Sequence, residues 1–331
     1  MVLMKKEMVF AEDVIKIIEN SRKNALKKVN EELIRMYWNV GGYLSEVANN
    51  AKFGDAYMDA IADGIQKAFP GIKGFNRRGL YRMKQFYELY KDNQLVSPLV
   101  TQISWSNHLV IMSGCKYEEE REFYIKLCIK ENYTKRELER QIESGYYERY
   151  MLSKEEILPE PIRGLKENPF LDSYIIEFLD LPKNFRETDL RKGLIQNMKE
   201  FILEVGKDFS FIDEEYRVQV GGEDFYIDLL FFHRGLQCLV AIELKIGRFK
   251  PEYISKMDFY LEALDRQKKK EYENPSVGMI LCASKDDEVV EYAMSRTMSP
   301  LLVAEYKLQL PDKKVLQKKL QELVNMPLAD S

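Results

Sequence analysis

A two-domain chain is expected: a mainly helical first half, residues 1–152, with a helix-turn-helix-like outline, and a second half, residues 170–331, built as an α/β sandwich. Three observations predict it. A chain of 331 residues exceeds what one ordinary core organises. Up to about residue 150 the apolar residues recur at helical spacing, whereas beyond it short β-branched and aromatic runs alternate with helical stretches. Between the two lies the stretch 153–169, SKEEILPEPIRGLKENP, whose three prolines and mixed charge mark an interdomain linker.

In chain order, residues 11–47 form the first helix. Val14, Ile17, Ile18, Leu26, Val29, Leu33, Met36, Tyr37, Val40 and Leu44 give it one buried stripe, and Arg22, Lys23, Lys27 and Lys28 a solvated face. Gly41-Gly42 marks either a break or a close helix contact. A second helix, 55–69, is stopped by Pro70-Gly71. After a GIKG connection a third, 76–90, places Leu80, Met83, Phe86, Tyr87 and Tyr90 on its apolar side. Helix, short glycine-containing turn, helix is the outline of a helix-turn-helix.

The third helix opens with Asn76, Arg77 and Arg78, and from 71 to 91 six basic residues stand against Glu88 alone. Recognition helices contact DNA near their amino termini, which makes Arg77, Arg78, Arg82 and Lys84 the candidate DNA contacts. An amphipathic helix with a basic exterior accounts for the same residues. Turn residues follow at 92–98, then an apolar segment, 103–112, around Trp105, and a helix at 117–131. Thr134 and Glu137 form a capping box that opens a helix reaching to about 150.

In the second half a short helix is expected at 172–179 and a longer one at 189–205. Strands follow at 216–220 and 225–232, joined by Gly221-Gly222, and at 238–244. Pro251 suits the first turn of a helix whose buried face is Tyr253, Met257, Tyr260, Leu261 and Leu264. A strand at 277–282, a helix at 288–296 and a strand at 301–306 complete the order.

Composition narrows the functional classes. The net charge of −4 does not advertise nucleic-acid binding, yet residues 1–150 hold 24 basic and 21 acidic side chains, which leaves the excess acid in the second half. No apolar run approaches the 18 or so residues of a membrane span. The opening MVLMKKEMVF lacks the apolar core of a signal peptide, and a cytoplasmic location is expected. Cys115, Cys128, Cys238 and Cys282 are far apart with no C-x-x-C, and His108 and His233 are the only histidines. Zinc, redox-pair and histidine-cluster chemistry therefore have no support.

The chemistry concentrates in 225–245, FYIDLLFFHRGLQCLVAIELK. Two apolar runs separated by five residues with Gly235 read as a hairpin, and Asp228, Glu243 and Lys245 interrupt them. Side chains two apart share a face, so Glu243 and Lys245 emerge together and Asp228 can face them from the neighbouring strand. Two carboxylates with room for water suit Mg2+ or Mn2+, and Lys245 could stabilise charge on a phosphate. A buried ion pair without any ligand is the alternative.

Asp228 followed by Glu243-Leu244-Lys245 resembles the PD-(D/E)XK nuclease signature. The surrounding YRVQVGGEDFYIDLLFFHRGLQCLVAIELKIGRFKPE is similar to the YhcG family of nucleases within that superfamily, and the amino-terminal half resembles that family's helical domain. The resemblance implies a restriction-endonuclease-like core, with metal carboxylates Asp228 and Glu243 and catalytic Lys245. Two positions depart from it. Arg191 stands where similar nucleases often have Glu, and Lys256, in KMDFYL, where they often have Gln. Lys256 could serve as a fixed charge on the scissile phosphate, and Glu187 or Asp189 could supply the carboxylate missing at 191. The function implied is a Mg2+-dependent nuclease acting on DNA in bacterial recombination, processing or defence, alone as a homo-oligomer or with other DNA-processing proteins. A nuclease-fold DNA-binding or assembly protein without turnover is the alternative, and RNA the alternative substrate.

Overall fold

The computed structural model describes residues 2–50, 56–94, 96, 98–153, 169–297 and 299–324. Only the two end residues of the expected 153–169 linker fall among them. The chain divides into two compact units at Glu139/Arg140, ahead of the boundary expected at 152.

The first unit is helical: α1 (Val2–Asn50), α2 (Ala56–Ala68), α3 (Arg77–Tyr90), a 3-10 turn (Val100–Gln102), α4 (Trp105–Gly114) and α5 (Glu118–Glu131). Gly41 is a close contact and not a break, because a Cβ there would stand 2.1 Å from the carbonyl oxygen of Met83, so α1 and α3 touch backbone to backbone. Ile34, Tyr37 and Leu44 of α1 and Leu80, Met83, Phe86 and Tyr90 of α3 are all buried. Trp105 packs against Tyr37 and Phe86, with ring centroids 4.6 and 5.4 Å away. His108 is core: its Nε2 lies 2.7 Å from the Val100 carbonyl, and burial pushes its pKa down to about 4. The Asn76 side chain caps α3, accepting from the Gly79 N–H at 2.9 Å.

The expected stripe on α1 is buried only in its second half. Val14, Ile17, Ile18, Leu26 and Val29 are each more than half exposed, and the rest of 11–28 is exposed too. Packing begins at Asn30, whose side-chain amide donates to the carbonyls of Thr101 and Ile103.

α6 (Lys135–Glu143), which spans the division at Glu139/Arg140, and α7 (Tyr146–Leu152) replace the single helix expected from 134 to 150; Gly145, at φ +63°, separates them. The Thr134–Glu137 capping box that opens α6 is present. Buried Glu204 explains why residues 140–152 belong to the second unit: it accepts from Arg140 at 2.8 Å, Arg149 at 2.7 Å and the Ile175 N–H at 2.8 Å.

The second unit then builds a six-stranded mixed sheet, order β1-β6-β5-β4-β3-β2, from β1 (Ser173–Ile175), β2 (Phe209–Val220), β3 (Glu223–His233), β4 (Cys238–Arg248), β5 (Val277–Ser284) and β6 (Leu301–Lys307). β2, β3 and β4 run antiparallel; β4, β5, β6 and β1 run parallel. Helices α8 (Glu187–Gln196) and α9 (Met198–Val205) cover one face, packing Leu190, Leu194 and Phe201 on Leu229, Phe231, Ile242 and Leu244. On the other face α10 (Glu252–Gln267) and α11 (Asp287–Met294) pack Met257, Leu261, Leu264 and Val290 on Leu230, Ala241, Ile280 and Cys282. β4 is buried from Cys238 to Lys245, as a strand covered on both faces must be.

Three expectations are corrected here. The segment 172–179 holds an edge strand paired with β6 and no helix, because its apolar residues find a strand neighbour distant in sequence. Asn197, off helical geometry at ψ 36°, splits the helix expected at 189–205. β2 starts at Phe209 and includes a register shift between Phe211 and Asp213, and α12 (Lys313–Val324) was not anticipated.

Candidate active site

The β3–β4 ladder pairs His233 with Cys238 and ends at Leu229 and Ile242, where Asp228 and Glu243 would come next. There the backbone pairing is replaced by a side chain: Asp228 Oδ2 accepts the Leu244 N–H at 2.9 Å. Glu243 is almost wholly buried, and its Oε1 receives Lys245 Nζ at 2.8 Å and Lys256 Nζ at 2.5 Å. Its Oε2 is buried and has no hydrogen-bond partner. A buried carboxylate oxygen left unmatched is costly unless a ligand meets it.

Lys245 is fixed further by Glu187 Oε2 at 3.1 Å and the Leu244 carbonyl at 2.9 Å, and its ammonium lies 5.4 Å from the Tyr253 ring centroid. Lys256, half exposed on α10, lies 5.3 Å from the Tyr260 ring. That ring is itself anchored by its hydroxyl, which donates to the Tyr226 carbonyl at 2.7 Å. Burial and then the nearby Glu243 charge raise the Asp228 pKa. For Lys245 burial acts to lower the pKa, but the carboxylates of Glu243 and Glu187 outweigh it and raise the value; Glu243 does the same for Lys256.

The structure thus brings Asp228, Glu243, Lys245 and Lys256 together. Glu187 turns its carboxylate to Lys245, while the Asp189 side chain is used at the start of α8, accepting the Arg186 N–H at 2.8 Å. Arg191, one turn after Glu187, is 3.5 Å from Asp228 Oδ1, 2.8 Å from Glu215 Oε1 and 3.6 Å from Glu214 Oε2. Glu214 and Glu215, two adjacent acids, lie ahead of the strand start expected at 216 and within β2 as it forms, from Phe209.

Among the described residues no three His, Cys, Asp or Glu side chains form a metal cage by themselves. The arrangement still fits a hard cation. Mg2+ commonly takes one or two carboxylates and completes its shell with water and phosphate oxygens. Glu187, Glu214, Glu215, Asp228 and Glu243 bring five negative charges against the three positive charges of Arg191, Lys245 and Lys256. The excess of two is the charge of one divalent ion, and the unmatched Glu243 Oε2 offers it an oxygen.

The candidate DNA contacts lie in the first unit. Arg77 pairs with Asp59 at 3.3 Å and lies near the Tyr81 ring; Lys84 pairs with Glu88 at 2.7 Å. Arg78 is exposed and Arg82 partly exposed.

Residues 167–321 match the family described as the YhcG PDDEXK nuclease domain, and residues 13–149 the family described as the DUF1016 N-terminal domain. The two matched regions follow one another along the chain, the first ending at 149 and the second beginning at 167. The Escherichia coli (strain K12) protein named "Putative nuclease YhcG" is 28% identical over 92% of this chain and 90% of its own length. Two solved structures are similar in part. A repair endonuclease from Pyrococcus abyssi is 19% identical over 39% of this chain and 50% of its own, with a TM-score of 0.26. EndoMS in apo form is 17% identical over 40% and 49%, also with a TM-score of 0.26. The chain spans about half the length of those solved chains. PDDEXK nucleases generally use divalent metal ions. Asp228, Glu243 and Lys245 lie on β3 and β4 within the matched region, and Arg191 and Lys256 each contact one of the two carboxylates.

Proposed function

We propose that this chain is a divalent-metal-dependent nuclease that hydrolyses DNA phosphodiesters. The observation that supports it most is the buried Glu243 carboxylate, with one oxygen held by two lysines and the other unmatched beside Asp228. Asp228 and Glu243 would hold Mg2+ or Mn2+. A bound ion of that kind polarises a phosphate and lowers the pKa of its water. Lys245 sits pre-oriented by Glu187, Glu243 and the Leu244 carbonyl, so it can stabilise charge developing on a phosphate without reorganising. Lys256, half exposed, is placed to meet a phosphate from the solvent side. Arg77, Arg78, Arg82 and Lys84 would hold backbone phosphates away from the reacting bond.

A second reading, a DNA-binding protein of nuclease fold without turnover, draws on Arg191: its guanidinium at 3.5 Å neutralises one of the two metal-binding carboxylates. The two readings separate in one assay. Supercoiled plasmid, single strands and branched DNA are incubated with Mg2+ or Mn2+, comparing the wild type with Asp228→Ala. Cleavage by the wild type alone supports the nuclease. Binding without cleavage in both supports the second reading.

A further inference from the structure

Arg191 is nine-tenths buried, and three carboxylates converge on its guanidinium: Asp228 of β3 and Glu214 and Glu215 of β2. The strands explain the convergence. β2 and β3 pair Glu214 with Leu229 and Tyr216 with Ile227, and the pairing is interrupted between them, where Glu215 and Asp228 lie. Like charges gathered around one guanidinium repel one another. Glu215 also has φ +47°, a left-handed backbone that a residue with a Cβ adopts only under strain. The sheet therefore holds two mutually repelling acids, one of them on strained backbone, with a third beside them, and a single guanidinium answers all three.

The fit to that guanidinium is loose. Only Glu215, at 2.8 Å, is at a close hydrogen-bond distance; Asp228 stands at 3.5 Å and Glu214 at 3.6 Å, and the buried Nε–H has no hydrogen-bond acceptor. Optimised Arg–carboxylate pairs are commonly bidentate at about 2.7–2.9 Å. Spread in this way, the guanidinium acts as a positive charge placed among acids more than as a geometric clamp. On the other side of Asp228 the Glu243 carboxylate has an unmatched oxygen of its own.

We infer that Arg191 takes the place of a second metal ion: it is a fixed cation that limits this site to one divalent ion, the one assigned above to Asp228 and Glu243. The inference rests on the metal-dependent reading of the site and goes beyond it in fixing the stoichiometry and naming the residue responsible. Without the guanidinium, Asp228, Glu214 and Glu215 lose the cation they share, and a hard cation with its remaining water ligands can replace it. Arg191 is on this account a positioning residue, acting on Asp228 and through it on the bound ion.

The test is the number of Mn2+ ions bound per full-length chain, measured by titration calorimetry and by loss of the free Mn2+ paramagnetic resonance signal, with no DNA present. One ion is expected for the wild type and for Arg191→Lys, which keeps a cation, and two for Arg191→Ala. Thermal unfolding with and without Mn2+ runs alongside, where Arg191→Ala should lose stability in the chelated state and recover more of it with Mn2+ than the wild type does. If Arg191→Ala folds and binds one ion with wild-type affinity, the inference is overturned while the metal-dependent reading stands. If the wild type binds two, Arg191 is no substitute. If neither protein binds Mn2+, the inference and the reading beneath it fall together.

Discussion

Lys256 Nζ donates to Glu243 Oε1 at 2.5 Å, so a cation from α10 shares the carboxylate oxygen that Lys245 already holds from β4. Because Lys256 is half exposed, its removal should barely affect folding. Lys256→Ala should slow cleavage by roughly tenfold, about 1.4 kcal/mol of barrier, with the melting temperature near the wild type. Lys256→Gln should retain more activity, since an amide can still donate to Glu243 or to a phosphate. Steady-state cleavage of one duplex substrate by the three proteins checks the order; a wild-type rate for Lys256→Ala would make Lys256 a surface cation.

Asp228 gives a prediction of opposite sign for stability and for binding. Burial and Glu243 raise its pKa, so its ionised form weakens the fold. The native state holds the proton to higher pH than the unfolded chain, whose Asp titrates near about 3.9. Stability from this group is therefore lost as pH rises from there through the folded pKa. In chelator, Asp228→Asn should be more stable than the wild type near pH 7 and lose that advantage below about pH 4. Mn2+ affinity should fall. Urea unfolding across that range, with parallel calorimetry, reads both.

Glu204 should behave the other way. Burial alone would raise its pKa, but Arg149, Arg140 and the Ile175 N–H together hold it below the ordinary glutamate value. Its stabilisation is present above the unfolded pKa of about 4.3 and disappears as pH falls through the depressed folded value. Glu204→Ala takes the carboxylate from buried Arg149, while Arg140 keeps Glu177, and should cost about 3 kcal/mol. A loss under 1 kcal/mol in denaturant titration would mean that the arginines find other acceptors.

On α3 the four basic residues should not count equally. Arg77 and Lys84 already pair with Asp59 and Glu88, whereas Arg78 and Arg82 are freer to meet phosphates. Fluorescence anisotropy on labelled duplex in Ca2+ should show the salt slope of binding falling by roughly 0.9 for each of Arg78→Ala and Arg82→Ala. Arg77→Ala and Lys84→Ala should change it less. An unchanged slope in the quadruple alanine variant would leave α3 an amphipathic helix with a basic exterior.

Local rules sufficed for the signature residues. The two-residue period of a strand and the short connection through Gly235 place Asp228, Glu243 and Lys245 together whatever the rest of the chain does. The same holds for the Asn76 cap, the Thr134–Glu137 capping box and the apolar face of α10, because each interaction closes within a few residues. Tertiary structure decided what depends on neighbours distant in sequence. Helical periodicity shows that α1 has an apolar stripe, but only the positions of α3 and α4 determine that it is buried at Tyr37 and Leu44 and exposed at Val14, Ile18 and Leu26. The segment 173–175 is a strand because β6 offers it an edge more than a hundred residues further on. Arg191 reads as a lone departure from a motif until the sheet sets Glu214 and Glu215 of β2 beside Asp228 of β3: burial and charge are properties of surroundings, and surroundings are assembled by the fold.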